Sequence, residues 1–407
     1  MTEHDAAPTP PTTPADARRW RAAEVRRLLD FGAAALSGPD GAAWLDADGA
    51  ADRTRPTQTW ITARMAHSYA LGHLLGVAGC DALADRALAG LTGPLHDDEH
   101  GGWFAAVGPD DAVDGTKAAY AHAFVVLAAA SAVQAARPGA EALLDEALDV
   151  LDRRFWDDGP GMLVDEWDRS WTVLSTYRGI NANMHGVEAL LAAADATGDP
   201  RWHDRAVRIC DRVAQWAEAT RWRVPEHFTT DWTPDLELNA DRPRDPFKPY
   251  GSTPGHGFEW ARLLLQVDVA GGTPGRRTET ARRLFERALA DGFDGTGFVY
   301  TVDWSGEPVE RRRFHWVAAE AVAAAEVLAA VTGESRYREL AASWWDLLRD
   351  RFVDTDRGSW HHELDPHDRP TATVWDGKPD IYHAVQALLV PDLPVSGSFA
   401  ESVRRSA

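Results

Sequence analysis

Three histidines in this chain stand out, each near an expected helix start, an acid or a tyrosine: His185 in NANMHGVE, His256 in PGHGFEW and His383 in IYHAVQ. Imidazole titrates near neutrality, so these are the side chains best suited to moving a proton to and from carbon or oxygen. Glu188 follows His185 by three residues, and Glu259 follows His256 by three. On a helix each such pair shares a face, where the carboxylate can orient or charge the ring. A single histidine on a helix is ordinarily a satisfied core residue, and an i,i+3 pair is ordinary helix chemistry. What shifts the reading is recurrence.

Six junctions carry related signatures: TWITARMAHSYALG (Arg64, His67), TKAAYAHAFVVLAAA (Tyr120, His122), RGINANMHGVEALLAAA (Asn181, His185), GSTPGHGFEWARLLLQ (His256, Glu259), RRRFHWVAAEAVAAA (His315, Glu320) and KPDIYHAVQALLV (Asp380, His383). Each takes an aromatic, charged loop into an Ala/Leu-rich helix, and they recur about every 60 residues. Units of that length hold two helices and cannot bury their apolar faces alone, so the sequence predicts one toroid rather than two or three domains. The helices after the signatures carry Ala nearly all round and read as an inner, buried ring. Stretches such as 201–220 and 335–353 show one apolar stripe with Arg and Asp between, and read as outer partners. A further helix is expected over 17–36. ATGDPRW and VTGESRY punctuate helix ends with Gly. The stretches 294–309 and 357–371 read as short β-hairpins. The proline-rich segment 223–250 is hardly helical and leads straight to His256, so it reads as a lid or wall. Six junctions at one rim of a ring imply a single shared site.

Composition narrows the possible partners. A net charge of −21, with Lys and Arg scattered among acids, argues against nucleic acid and anionic membranes. No run of eighteen apolar residues is present. Cys80 and Cys210 match neither a disulfide framework nor a zinc motif. With an N-terminus lacking a basic start and an apolar stretch, they make a cytoplasmic protein the expectation. Residues 1–17 are expected to be a disordered tail, 18–395 one domain, and 396–407 a C-terminal tail. Eighteen tryptophans are many for a chain of 407 residues. Trp60, Trp103, Trp171, Trp316 and Trp375 lie in the loops feeding the junctions, where indoles could stack on a sugar face.

Metal and phosphate sites find little support. There is no HExxH and no EF-hand loop; HDDEH (96–100) and WHHELD (360–365) read as solvated acidic loops. No Walker A or dinucleotide-binding glycine motif is present, so no cofactor is expected. Arg64, Lys248 and Lys378 are the cations available for hydroxyls or an anionic substituent.

NANMHGVEALLAA, PGHGFEWARLLL, FHWVAAEA and PDIYHAVQALL together resemble the N-acylglucosamine 2-epimerase superfamily, and within it the mannose isomerase and sulfoquinovose isomerase branch. The likeness runs from about residue 18 to 395. It implies an all-α (α/α)6 barrel, six helical hairpins with short β-hairpins at the active-site end. It also implies an enzyme without metal or redox cofactor that moves a proton at C2 of a monosaccharide. Position by position, the resemblance makes His256 and His383 the acid/base pair, with Glu259 beside the first. Arg64, Tyr120, Asn181 and His185 fall on hydroxyl-binding positions, Trp316 on a wall, and Lys248 on the loop before His256. Glu320 and Asp380 complete the substrate-binding candidates. Cellobiose-epimerising relatives tend to carry a double Trp where this chain has His315-Trp316, which favours isomerisation.

The expected reaction is aldose–ketose isomerisation, D-mannose to D-fructose with D-lyxose as a second substrate, through a cis-enediol. A 2-epimerase on the same fold is the nearest alternative. A glycoside hydrolase would need two carboxylates, drawn from Glu259, Glu320 and Asp380. A sugar-binding protein without catalysis is the remaining class. The protein is expected to act as a monomer or homodimer.

Overall fold

The structure is a computed structural model that describes residues 13–110 and 112–406. Thirteen α-helices follow one another among these residues: α1 (Pro14–Gly32), α2 (Thr59–Leu74), α3 (Cys80–Thr92), α4 (Ala119–Gln134), α5 (Ala140–Val150), α6 (Ile180–Thr197), α7 (Pro200–Ala219), α8 (Pro254–Ala270), α9 (Thr278–Gly292), α10 (His315–Thr332), α11 (Ser335–Arg351), α12 (Tyr382–Leu389) and α13 (Phe399–Ser406). Helices α2, α4, α6, α8, α10 and α12 pack each on the next, and α12 packs back on α2, so the inner ring closes. The odd-numbered helices α3 to α11 each cover the inner helix before them, and α1 covers α12. The first helix therefore completes the last hairpin. This is an (α/α)6 barrel.

The two rings follow from side-chain size. α4 and α10 are built largely of Ala and Val and are buried on almost every side, which small side chains permit by letting backbones approach. α10 is long and apolar enough to cross a bilayer, but its length is 72% buried inside the protein and it carries the buried Glu320. α7 and α9 bury one stripe (Trp202, Ala206, Ile209, Val213 and Trp216 in α7) and leave Arg and Asp to solvent. Gly198 and Gly333, both at positive φ, end α6 and α10 where the inner chain turns outward.

Short ladders fix the rim. The two residues before an inner helix pair antiparallel with the segment that follows the next outer helix. Thus Thr57–Gln58 pairs Ala106–Val107, Lys117–Ala118 pairs Glu166–Trp167, Arg178–Gly179 pairs His227–Phe228, and Arg313–Phe314 pairs Glu363–Leu364. Before α8 a lone bridge, Ser252 to Val302, does the same. Buried cations brace these junctions. Lys117 Nζ donates to Asp97 (2.8 Å) and the Gly101 carbonyl, and Lys378 Nζ to Asp354 (2.7 Å) and the Gly358 carbonyl. The predicted hairpin at 294–309 is a strand pair, Thr301–Val302 with Pro308–Glu310.

Both chain ends differ from expectation. Residues 1–12 of the expected N-terminal tail lie outside the described residues, but 14–17 already belong to α1, whose Thr13 side chain caps the helix by accepting from Asp16 N. The stretch 396–406 is not a tail. α13 lies across α2, α4 and α6, with Phe399, Ala400 and Val403 buried. Ser398 Oγ donates to Asp195 at 2.7 Å, and the Phe399 ring sits 5.7 Å from the Arg262 guanidinium. The apolar residues of α13 are too few to announce a helix by pattern; they are buried because the ring leaves an open floor that something must cover. Phe399→Ala should therefore lower the unfolding free energy by about 3 kcal/mol in urea denaturation. A change within about 0.5 kcal/mol would mean that α13 is only laid on the surface.

Candidate active site

The N-terminal ends of the inner helices converge on one cavity of about 900 Å³ including its open mouth. Its polar lining comes in two tiers. The second residue of an inner helix gives Trp60, Tyr120, Asn181, Trp316 and His383, and the third of α8 gives His256, all on the upper wall. The sixth residue gives Arg64, His185 and Glu259, one helical turn deeper, with Phe124 and Glu320 at the same helical position but behind the lining. Neighbours touch around each tier. Trp60 meets Tyr120 at 6.2 Å between ring centroids, and Trp316 lies between His256 (5.2 Å) and His383 (5.8 Å). Below, Arg64 faces Phe124, Phe124 packs on His185, and His185 Nδ1 approaches Glu259 at 3.8 Å.

Two imidazoles are held by carboxylates at Nδ1. Glu226 Oε2 lies 2.8 Å from His256 Nδ1, and Glu320 Oε1 lies 3.0 Å from His383 Nδ1. A carboxylate that accepts Nδ1–H leaves Nε2 bare for a substrate proton. Burial, reinforced by the Arg64 cation and opposed by Asp380, holds His383 well below the ordinary histidine range, so it is neutral at pH 7. Burial likewise takes His185 and His315 down to about 4.

Arg64 is fixed by Asp380 (3.2 Å) and the Tyr120 hydroxyl (2.8 Å), leaving its Nε without a partner. Under the cavity Arg262 Nε donates to Glu320 Oε2 at 3.0 Å and its Nη2 stands 3.5 Å from Glu259 Oε1. Burial pushes both Glu259 and Glu320 up, each repelled by neighbouring carboxylates. Glu259, the one with a buried unpartnered oxygen, is the natural holder of a proton. Glu188 is different. Burial pushes it up, but the His185 ring 3.6 Å away, Arg262 and His67 together hold it below the usual carboxylate range. Its oxygens also accept from Tyr382 Oη and Gln386 Nε2. Asn181 Oδ1, His185 Nδ1, His315 Nε2, Arg64 Nε and Glu259 Oε2 are buried without partners around this cavity, which is a row of positions for a polyhydroxylated guest to satisfy.

A family model for N-acylglucosamine 2-epimerase matches residues 41–387. The chain belongs to the N-acylglucosamine 2-epimerase family. Relatives in this family include a D-mannose isomerase of Thermobifida fusca, 50% identical over 390 residues, with 94% of this chain and 96% of that one aligned. A D-mannose isomerase of Pseudomonas cannabina pv. alisalensis is 45% identical over 394 residues, 95% of each chain. A crystal structure of a D-mannose isomerase superposes with a TM-score of 0.86 at 27% identity, covering 97% of this chain and all of that one.

Within this family member, Arg64, Tyr120, Asn181, His185, His256, Glu259, Trp316, Asp380 and His383 all line the cavity, as their junctions implied. Two candidates do not. Lys248 stands over Tyr177, its Nζ 4.1 Å from the ring centroid, so that Tyr177 and not Lys248 meets the cavity. Glu320 is screened by His383, which it supports from behind. Glu259 is not the partner of His256 either: it points down to Arg262 and His185, and Glu226 takes its place. The acidic loops are corrected too. Asp97 of HDDEH is buried against Lys117, and in WHHELD His362 lines the cavity while Glu363 accepts from the backbone of Thr373, Val374 and Trp375. Lys378 is spent on Asp354. Trp60, Trp316 and Trp375 reach the cavity, whereas Trp103 and Trp171 pack on His122.

Residues 223–250 form a wall, contributing Glu226, His227, Pro246, Phe247 and Pro249. Sequence reasoning missed Glu226, Tyr177, Tyr300 and His362, whose loop positions carry no helical spacing to expose them. The one signal for Glu226 was its place in the proline-rich segment ahead of His256. His67 and His122 are structural: His67 bonds Ser131 Oγ at 2.7 Å, and His122 accepts from Trp103 N.

The buried neutral histidines give a pH prediction. Burial lowers His67 to about 4 and His122 to about 3, beside His185 and His315. An unfolded histidine protonates near 6.5, so between pH 6.5 and 4 the unfolded chain binds more protons than the folded one. Their stabilisation is fully present above that window and is lost as pH falls, by about 2 kcal/mol per histidine at pH 5. Asp165, raised to about 7, and the raised Asp195, Glu259, Glu320, Glu326 and His96 work in the opposite sense, but burial also holds down His227, His361, His362 and His383, so the lowered histidines outnumber them. The unfolding free energy measured in urea should drop from pH 7 to pH 5; a flat or rising curve would refute the neutral assignment.

Proposed function

We propose that this chain is a metal-independent aldose–ketose isomerase that converts D-mannose to D-fructose through a cis-enediol, with D-lyxose as a second substrate. The observation that carries the proposal is the pair of carboxylate-supported imidazoles, His256 and His383, on either side of Trp316 and facing one cavity. The unpartnered polar atoms around them suit a small polyol, and the D-mannose isomerases at 50% and 45% identity support the substrate.

The chemistry follows from the geometry. A ring-opened aldose carries a C1 carbonyl that acidifies the proton on C2. His383, neutral and with Nε2 bare, removes that proton and returns it to C1. His256 moves the proton between O1 and O2, or opens the ring beforehand. Charge develops on the enediolate oxygens, and Arg64 and Asn181 offer preorganised donors to it. The N-terminal ends of the inner helices also point at the cavity and favour negative charge there. Trp316 gives the sugar a flat wall.

Metal independence is part of the proposal. Among the described residues, His185, Glu188 and Glu259 form the one group whose donor atoms could meet on a metal ion. Yet Glu188 already accepts from Tyr382 and Gln386, and Arg262 stands against Glu259. A fixed guanidinium occupies the electrostatic role that a cation would play. As for hydrolysis, Glu320 lies behind His383, Asp380 is paired to Arg64 and Glu226 is engaged by His256, so among the described residues Glu259 is left without a second free carboxylate across the cavity.

Purified protein incubated with D-mannose should yield D-fructose by NMR, at the same rate with EDTA present. Activity abolished by chelation and restored by Mn²⁺ or Co²⁺ would refute the metal-free mechanism. Glucose as the dominant product would make the protein a 2-epimerase. His383→Ala and His256→Ala should each reduce kcat by roughly 10²–10⁴-fold, with stability changed by no more than about 1–2 kcal/mol. A variant that keeps wild-type turnover would show its histidine to be structural.

A further inference from the structure

Glu226 is 5% exposed and sits where two inner helices begin. Its backbone carbonyl accepts from Ile180 N at the first residue of α6 (3.0 Å). Its side chain reaches the other way: Oε1 accepts from Thr253 N, the N-cap position of α8, at 3.1 Å, and Oε2 meets His256 Nδ1 at 2.8 Å. Both carboxylate oxygens are thus engaged by the protein. No side chain of α8 caps that helix, so this carboxylate from the preceding loop is the acceptor that the Thr253 amide would otherwise lack.

We propose that Glu226 is the positioning residue for His256, holding its imidazole in the Nδ1–H tautomer so that Nε2 faces the sugar as a proton acceptor. This rests on the isomerase reading for its kinetic consequence, but not for its geometry. The two supported histidines are unequal. Glu320 shares its carboxylate between His383 and the Arg262 guanidinium, whereas Glu226 serves His256 and one backbone amide and has no cation of its own at hydrogen-bond distance. His256 is therefore oriented by the proline-rich wall, and His383 by the neighbouring helix. The wall that shapes the cavity also sets the tautomer of one of its two working groups.

Glu226→Gln separates this role from helix capping. The amide oxygen can still accept from Thr253 N, while the amide NH2 now faces Nδ1 and requires it to accept. The imidazole is driven to the other tautomer, with the hydrogen on Nε2. In Glu226→Gln, kcat for mannose should fall roughly 10²-fold or more, with KM within about threefold and the thermal midpoint unchanged. The double variant Glu226→Gln/His256→Ala should be no slower than His256→Ala alone, because the two residues act as a unit. In parallel, ¹⁵N NMR of histidine-labelled protein, with His256 assigned by its loss in His256→Ala, should show Nδ1 protonated in the wild type and Nε2 protonated in Glu226→Gln. Additive losses in the double variant, or an unchanged tautomer, would overturn the proposal. If the wild type fails to convert mannose while the tautomer still reverses, the isomerase reading has failed and the positioning role stands.

Discussion

One buried guanidinium sits under the whole site. Arg262 is 1% exposed, projects from the third turn of α8 towards the axis, and lies against Glu259 and Glu320 with Glu188 close by. Burying so many carboxylates without a cation would force several to take up protons. With it, Glu320 can stay ionised and hold His383, Glu188 can stay ionised and anchor Tyr382 and Gln386, and one proton suffices for Glu259. Phe399 of the last helix closes over the guanidinium from below. The floor helix, the deep acidic tier and the orientation of the His383 imidazole therefore hang on the same charge.

The second constraint is geometric. Because every inner helix starts at the same rim, residues at the second and sixth positions form stacked rings without any long-range design in the sequence. That regularity is why so much was legible. The junction signatures gave the ring, the inner and outer helices, and nine residues that line the cavity, with the family resemblance supplying their roles. The proline-rich stretch 223–250 was readable as a wall because nothing else explained its length.

What stayed hidden follows from the same physics. Helical spacing tied Glu259 to His256, yet the partner is Glu226, thirty residues earlier and brought in by a strand pairing, His227 to Gly179, that two residues cannot announce. Lys248 misled because a cation on a loop next to a cavity-lining histidine is indistinguishable by position from one facing away. Asp97 and His362 looked solvated in charged runs, although Lys117 and the stacked ring of His315 bury them. The C-terminal helix was read as a tail because eight residues carry too little pattern to reveal that they fill a hole made by six other helices.

The central claim is that carboxylate-supported imidazoles move a proton, not a hydride, between C2 and C1 of a small aldose. Isomerisation of D-mannose in D₂O, followed by NMR of the isolated fructose, tests it most directly. A proton held on an imidazole exchanges in part with solvent, so the account predicts deuterium at C1 of fructose at less than full stoichiometry. Fructose formed with no deuterium at all, its C1 hydrogen derived wholly from C2 of mannose, would point to hydride transfer and contradict it.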